Sequence, residues 1–283
     1  MPVALIDPIS DPRWDNFVES SPKATIFHHS SWARVIAETY GYPHRYYALI
    51  EGPDITAALP FFEIRSFLTG NRWVSLPFSD RAPILARSHN QMEEILEKVT
   101  DDFSKSGCSY IEIRSGEEPL LSPDSEAPLH TKSFVRAENH ILQLASLSED
   151  VETAYSKLDT KRARWAVNRS QRDGVVIEMD NSLDAMQSFS RMNVETRRKL
   201  GAPPQPWKLF SNIHRFIIEP GRGFILMARR DGVTFGGLVL FNFGDTVTTK
   251  YSASDRRYLK YQFAHALFWE GIKWGCEHGY SIF

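Results

Sequence analysis

The chain has 283 residues, 42% hydrophobic and 12% aromatic, which is enough to bury a large core and to form two domains of ordinary size. Its 33 basic and 35 acidic side chains leave a net charge of −2, which excludes a surface that is everywhere a sink for nucleic acid or membrane. No stretch approaches the ~20 apolar residues of a membrane-spanning helix, and MPVALIDPISDPRWD lacks the basic start and apolar segment of a signal peptide. The expected address is cytoplasmic, with no integral membrane segment. Cys108 and Cys276 lack CxxC spacing or a neighbouring His pair, so neither a metal site nor a disulfide is expected and both read as buried free thiols.

In chain order, Ser30 to Tyr40 reads as a helix capped by Ser30 or Ser31, ending at Gly41 with Pro43 beyond it. HRYYALI, the turn Glu51-Gly52-Pro53-Asp54 and ITAALPFFEIRSF read as a β-hairpin, and NRWVSLPF as a further strand. A helix from about Gln91 to Ser106 closes on Gly107, and SYIEIRS then alternates with period two as a strand does. Gly116 to Pro128 reads as a loop or linker, and Asn139 to Leu144 as a strand.

The second half opens with Ser148 capping a helix expected to run unbroken to Asp173-Gly174. It carries Lys157, Lys161, Arg162, Arg164, Arg169 and Arg172 against Asp159 alone between Lys157 and Arg172. Such a run is either a solvated helix face or a site for a phosphate-rich ligand. VVIEM is a short strand. Ser182 caps a helix to Leu200, and another helix follows the Gly201-to-Pro206 break to Ile218. Three strands come next, GFILMAR, VTFGGLVLFNF and TVTTKYSAS, then a helix from about Tyr258 to His278 with His265 on its apolar face as a core histidine. The last residues, Tyr280-Ser281-Ile282-Phe283, read as a short strand with nothing after it, as in a chain cut inside its fold.

The order strand, two helices, three strands, helix, strand is that of the GNAT acyltransferase core, and the first half repeats it loosely. Five segments carry a closer likeness: TIFHHSSWARVIAETYGYPHRYYAL, RWVSLPFSDRAPIL, DTKRARWAVNRSQRDGV, ETRRKLGAPPQPWKLF, and KYSASD with ALFWEGIKWGCEHGYSIF. In these the chain resembles the FemAB/FemX-like proteins of the GNAT superfamily, including members linked to exopolysaccharide systems. The resemblance implies an α/β (α+β) fold of tandem GNAT-like domains, each a mixed, mostly antiparallel sheet flanked by helices. Their expected spans are 1–145 and 146–283, the second truncated at its end. It also implies transfer of an acyl or aminoacyl group to an amine in cell-envelope or exopolysaccharide synthesis. The donor would be acyl-CoA, the preferred carrier, or aminoacyl-tRNA, and the acceptor a small-molecule or lipid-linked amine. No metal is expected, and tRNA and peripheral membrane contact belong to the same picture. The glycine-bearing pyrophosphate loop of ordinary GNAT enzymes has no counterpart in RRYLKYQFA, after Asp255, and the family's Asp-Phe-Gly after the last strand is absent.

Candidate residues follow from what the chemistry needs: a held donor, a neutral amine, a proton acceptor and donors for an oxyanion. Arg256, Arg257 and Lys260, around an expected helix N-terminus, are the carrier-binding candidates. Tyr251 either protonates the leaving group or packs as a strand aromatic, and Lys250 is expected on the opposite face of its strand. Asp255 is either a base or a helix cap; Asp80 is either an acceptor-amine base or a turn residue beside Arg81. His28, Arg164, Arg197 and Lys250 are substrate-binding candidates, His28 alternatively a structural histidine and the arginines inter-domain ion pairs. A catalytically silent binding module of the same fold, or RNA binding through the basic helix, are the competing functions.

Overall fold

The computed structural model describes residues 2–67, 70–114, 146–147 and 150–283. The expected loop at 116–128, the strand at 139–144 and the cap Ser148 lie outside the described residues. The chain divides into two units, Met1–Gln143 and Leu144–Phe283.

The first unit builds β1 (Val3–Ile6), α1 (Arg13–Ser20), α2 (Ser30–Tyr40), β2 (His44–Glu51), β3 (Asp54–Ile64), β4 (Arg72–Val74), α3 (His89–Ser104) and β5 (Tyr110–Glu112). They form one sheet in the order β1-β2-β3-β4-β5, antiparallel except for β4 and β5, which α3 joins as a crossover. Tyr46, Tyr47, Ala48 and Leu49 are all buried, because both faces of β2 are covered and its sequence therefore does not alternate. On one face Tyr47, Leu49, Leu59, Phe61 and Trp73 pack with Ile95, Val99 and Phe103 of α3; on the other, Tyr46 meets Trp14 and Phe62 edge to face. The cap of α2 is His29, whose ring accepts from the Ser31 N–H, rather than Ser30 or Ser31; Gly41 ends the helix at φ 68°.

After β4 the backbone turns through Leu76 (φ 45°) and Phe78 (φ 62°), left-handed conformations that cost about 1–3 kcal/mol each. Polar bonds hold them: the Trp32 indole donates to Pro77 O at 3.3 Å, Ser79 N–H to Leu76 O at 3.0 Å, and the Arg114 guanidinium to Ser79 O at 2.7 Å. Phe78 stacks on Tyr40, and Tyr40 on Tyr42.

The second unit contains α4 (Val151–Lys157), a π turn (Thr160–Arg164), α5 (Trp165–Arg172), β6 (Val176–Met179), α6 (Leu183–Lys199), α7 (Trp207–Ile213), β7 (Gly223–Arg230), β8 (Val233–Phe243), β9 (Thr246–Ser254) and α8 (Phe263–Glu277). The expected unbroken basic helix is therefore three segments. Asp150 caps the first, and Asp159 caps the π turn by accepting from Arg162 N–H at 2.7 Å. The sheet β6-β7-β8-β9 is antiparallel throughout. Asp231 and Gly232, both at positive φ, make the tight β7–β8 turn whose twist matches its strands.

Leu226, Ala228, Leu238, Leu240 and Val247 pack with Phe263 and Leu267 of α8, while the opposite face meets α6 and α7 through Phe189 and Phe210. Gly236 and Gly237 face these two layers: a Cβ on Gly236 would run into the Phe263 ring, and one on Gly237 would lie 3.0 Å from Phe189. Ile282 bridges Thr246 and Ser146. Cys276 is buried as expected, Cys108 only half-buried. Among the described residues no helix is long and apolar enough to cross a membrane, and no group of side chains could hold a metal ion.

Candidate functional site

The second unit concentrates its unusual chemistry where β9 leaves the sheet. A β-bulge interrupts the ladder between β8 and β9: Leu240 faces Thr249, Val239 faces Tyr251, and Lys250 is the extra residue. The bulge breaks the strict alternation that placed Lys250 and Tyr251 on opposite faces, and the Lys250 ammonium stands 5.5 Å from the Tyr251 ring centroid. The Tyr251 ring packs edge to face on Phe210 of α7 at 5.4 Å, and its hydroxyl is buried. Thr249 Oγ1, also buried, has no hydrogen-bond partner.

Beyond β9, Asp255 is buried and its carboxylate is saturated by one residue. Oδ1 accepts from Arg257 N–H at 3.0 Å and Nε at 3.1 Å, and Oδ2 accepts from Nη2 at 2.6 Å. The Arg257 bonds hold the Asp255 acid well below the usual carboxylate range against the opposing effect of burial, with the Lys199 charge of α6 adding to the effect. Asp255 is thus a cap rather than a base for an amine proton, and Arg257 holds it with its backbone N–H, Nε and Nη2.

The helix expected from Tyr258 begins instead at Phe263, because residues Arg256–Tyr261 form a 3₁₀ segment. Tyr258 stacks on Phe235 at 4.8 Å, and Arg230 and Lys260 lie over the Tyr261 ring at 4.8 and 5.1 Å, so the turn stands on an aromatic base. Gln262 then takes a left-handed conformation (φ 56°, ψ 20°), and α8 starts with no side chain capping its first N–H groups. Ala264 and His265 in that turn are exposed, so His265 is not the core histidine its spacing suggested. The resulting helix N-terminus has exposed Arg256 and Lys260 on the turn before it. At the β9 end it is also joined to the basic end of α6, where Ser254 N–H donates to Thr196 Oγ1 at 3.4 Å. Uncapped N–H groups and cations together make an anion site.

The other expected residues are placed elsewhere. The Arg164 guanidinium donates to Leu158 O at 3.1 Å and Thr160 Oγ1 at 2.8 Å, which closes the π turn on itself. Arg197 donates from Nε to Pro203 O at 3.3 Å, fixing the loop after α6. His28 is fully buried in the first unit: Nδ1 accepts from Thr25 N–H at 3.1 Å and Nε2 donates to Pro83 O at 3.0 Å. Burial pushes its pKa down to about 4, so the ring is neutral, structural, and has no atom left for a substrate. Asp80 is exposed on the loop after β4. Tyr251, Lys250, Arg256 and Lys260 therefore fall within one stretch of the second unit, while Asp80 and His28 belong to the first.

Gln262, Lys199 and Thr249 escaped the sequence reading. Gln262 gave no signal, since a left-handed position is normally marked by glycine or asparagine.

Residues 156–283 match the model of the acetyltransferase (GNAT) domain family. Among solved structures, the FemX crystal structure superposes with a TM-score of 0.69 at 13% identity, covering 100% of this chain and 87% of FemX. A conserved protein of unknown function from Bacteroides thetaiotaomicron VPI-5482 gives 0.60 at 12% identity, covering 99% and 88%. A tandem GNAT protein from the clavulanic acid biosynthesis pathway gives 0.51 at 9% identity, covering 99% and 88%. No curated protein matches the sequence. Residues 156–283 thus match the acetyltransferase (GNAT) domain family, and the chain as a whole has a FemX-like, tandem GNAT fold.

Proposed function

We propose that the protein is an N-acyltransferase that takes an acyl group from a phosphate-bearing carrier and adds it to an amine acceptor of cell-envelope or exopolysaccharide synthesis, in the cytoplasm. The observation that carries this reading is the uncapped N-terminus of α8, approached through left-handed Gln262 and flanked by Arg256 and Lys260. Backbone N–H groups and two cations there would hold the carrier's phosphates, and Gln262 supplies without glycine the backbone turn that the sequence lacked. With the carrier so held, its acyl carbonyl would lie towards β9. The acceptor nitrogen attacks that carbonyl, a tetrahedral oxyanion forms and collapses, and the thiolate or ribose oxygen leaves with a proton. Tyr251 is the proposed donor of that proton, and Lys250, turned towards it by the bulge, the charge that steadies the oxyanion. The proton that the acceptor nitrogen gives up returns to the Tyr251 oxygen, so that every group used in the step lies in the second unit.

Acyl-CoA is the preferred donor, as suits the GNAT domain of residues 156–283. The likeness to FemX along the whole chain favours aminoacyl-tRNA as the second reading, with a lipid-linked acceptor. The two donors share phosphates and differ in size. Thermal denaturation of the full chain with acetyl-CoA, longer acyl-CoAs and tRNA separates them, because a ligand that binds only the folded state raises Tm. A rise with acyl-CoA supports the first reading and a rise with tRNA alone the second. No rise with any carrier would leave a silent binding module.

A further inference from the structure

The basic run that the acyl-transfer site leaves unused forms a defined surface. Arg164 is consumed in the π turn and Arg169 is paired with Asp173 at 2.8 Å, but Lys157, Lys161 and Arg162 are exposed and have no acidic partner among the described residues. Trp165, the first residue of α5, is 50% exposed although α5 buries Ala166, Val167 and Ser170 on its inner side. Lys161, Trp165, Arg169 and Arg172 recur at helical spacing, so the indole stands in the middle of a cationic stripe on the outer side of the helix.

We propose that this stripe is a docking surface for an anionic phospholipid membrane, with Trp165 seated at headgroup level and Lys157, Lys161 and Arg162 on lipid phosphates. Charge complementarity selects an anionic partner, and the shape of the surface selects a bilayer over RNA. Binding single-stranded RNA uses a groove with successive stacking rings, whereas this is the convex outer face of one short helix with a single ring. A flat anionic interface needs no more than one amphipathic ring among cations. The inference does not depend on the acyl-transfer reading, since docking is measured without donor or acceptor.

The test is sedimentation of the full chain with vesicles of phosphatidylcholine alone and with phosphatidylglycerol added. The expected result is binding only with phosphatidylglycerol, weakened by salt and lowered by roughly thirty-fold or more in K161E/R162E, which loses two cations and gains two anions. Quenching of tryptophan emission by brominated lipid should fall in W165F relative to the native chain. Both variants alter exposed side chains, and an unchanged Tm establishes that they fold. Binding indifferent to phosphatidylglycerol, equal binding by K161E/R162E, unchanged quenching in W165F, or retention on tRNA in place of vesicles would each overturn the proposal.

Discussion

In the first unit β4 runs into Leu76-Pro77-Phe78, a strained turn whose polar groups are tied to Trp32 and Arg114 and whose aromatic ring is stacked on Tyr40. In the second unit β9 runs into a turn that stands on Phe235, ends in left-handed Gln262 and leaves the first N–H groups of α8 uncapped. Both exits depart from relaxed backbone. One uses buried hydrogen bonds to hold itself, and the other leaves donors and cations facing outward. Helix dipole and positive charge thus accumulate at the second exit, which is why the carrier is proposed to bind there, while His28 of the first unit reads as scaffold.

Removing a core side chain from the first unit should show that division most strongly. Trp73→Ala is expected to cost about 3–5 kcal/mol by the cavity it opens, read by denaturant unfolding, while the folded fraction keeps native carrier affinity. A loss of affinity in proportion to stability would join the two regions that are here kept apart. His28 supplies the next largest effect. Its folded pKa of about 4 lies below the ordinary 6.5, so the unfolded chain takes up a proton that the native one refuses. Stability is complete above pH 6.5 and falls by about 3 kcal/mol as pH drops through 4; H28Q, keeping a donor and an acceptor, should flatten that slope.

Gly236→Ala sharpens the comparison from the other side. Its methyl group meets the Phe263 ring, so about 1–3 kcal/mol of stability should go, and carrier affinity with it, because Phe263 begins α8. Asp255→Asn is the smallest. It removes the acid whose folded pKa is depressed, a contribution present above the ordinary carboxylate range and lost as pH falls below it. The variant should therefore lose stability at neutral pH and show a shallower acid limb in thermal denaturation.

Much of this was legible in the sequence. The Gly41 signal marked a helix end because glycine readily takes positive φ, and Ser182 marked its helix because its hydroxyl caps Ala185 N–H. What stayed hidden lacked a local code. Nothing in KYSAS indicates that one residue bulges and brings Lys250 to Tyr251. Nothing in RRYLKYQFA distinguishes a 3₁₀ turn from the start of a long helix, because Tyr258 and Tyr261 fit both and only their packing on Phe235 decides. The basic run reads as one helix in the sequence because Leu158 and Asp159 bring no proline or glycine to announce the break.

The most direct test is calorimetric titration of the native and R256A/K260A chains with acetyl-CoA and with aminoacylated tRNA. The expected result is saturable binding of at least one carrier by the native chain, weakened by about ten-fold or more in the variant, whose Tm is unchanged. Equal affinity in the two chains, or no binding of either carrier to the native one, would contradict the assignment of the acyl carrier to the turn between β9 and α8.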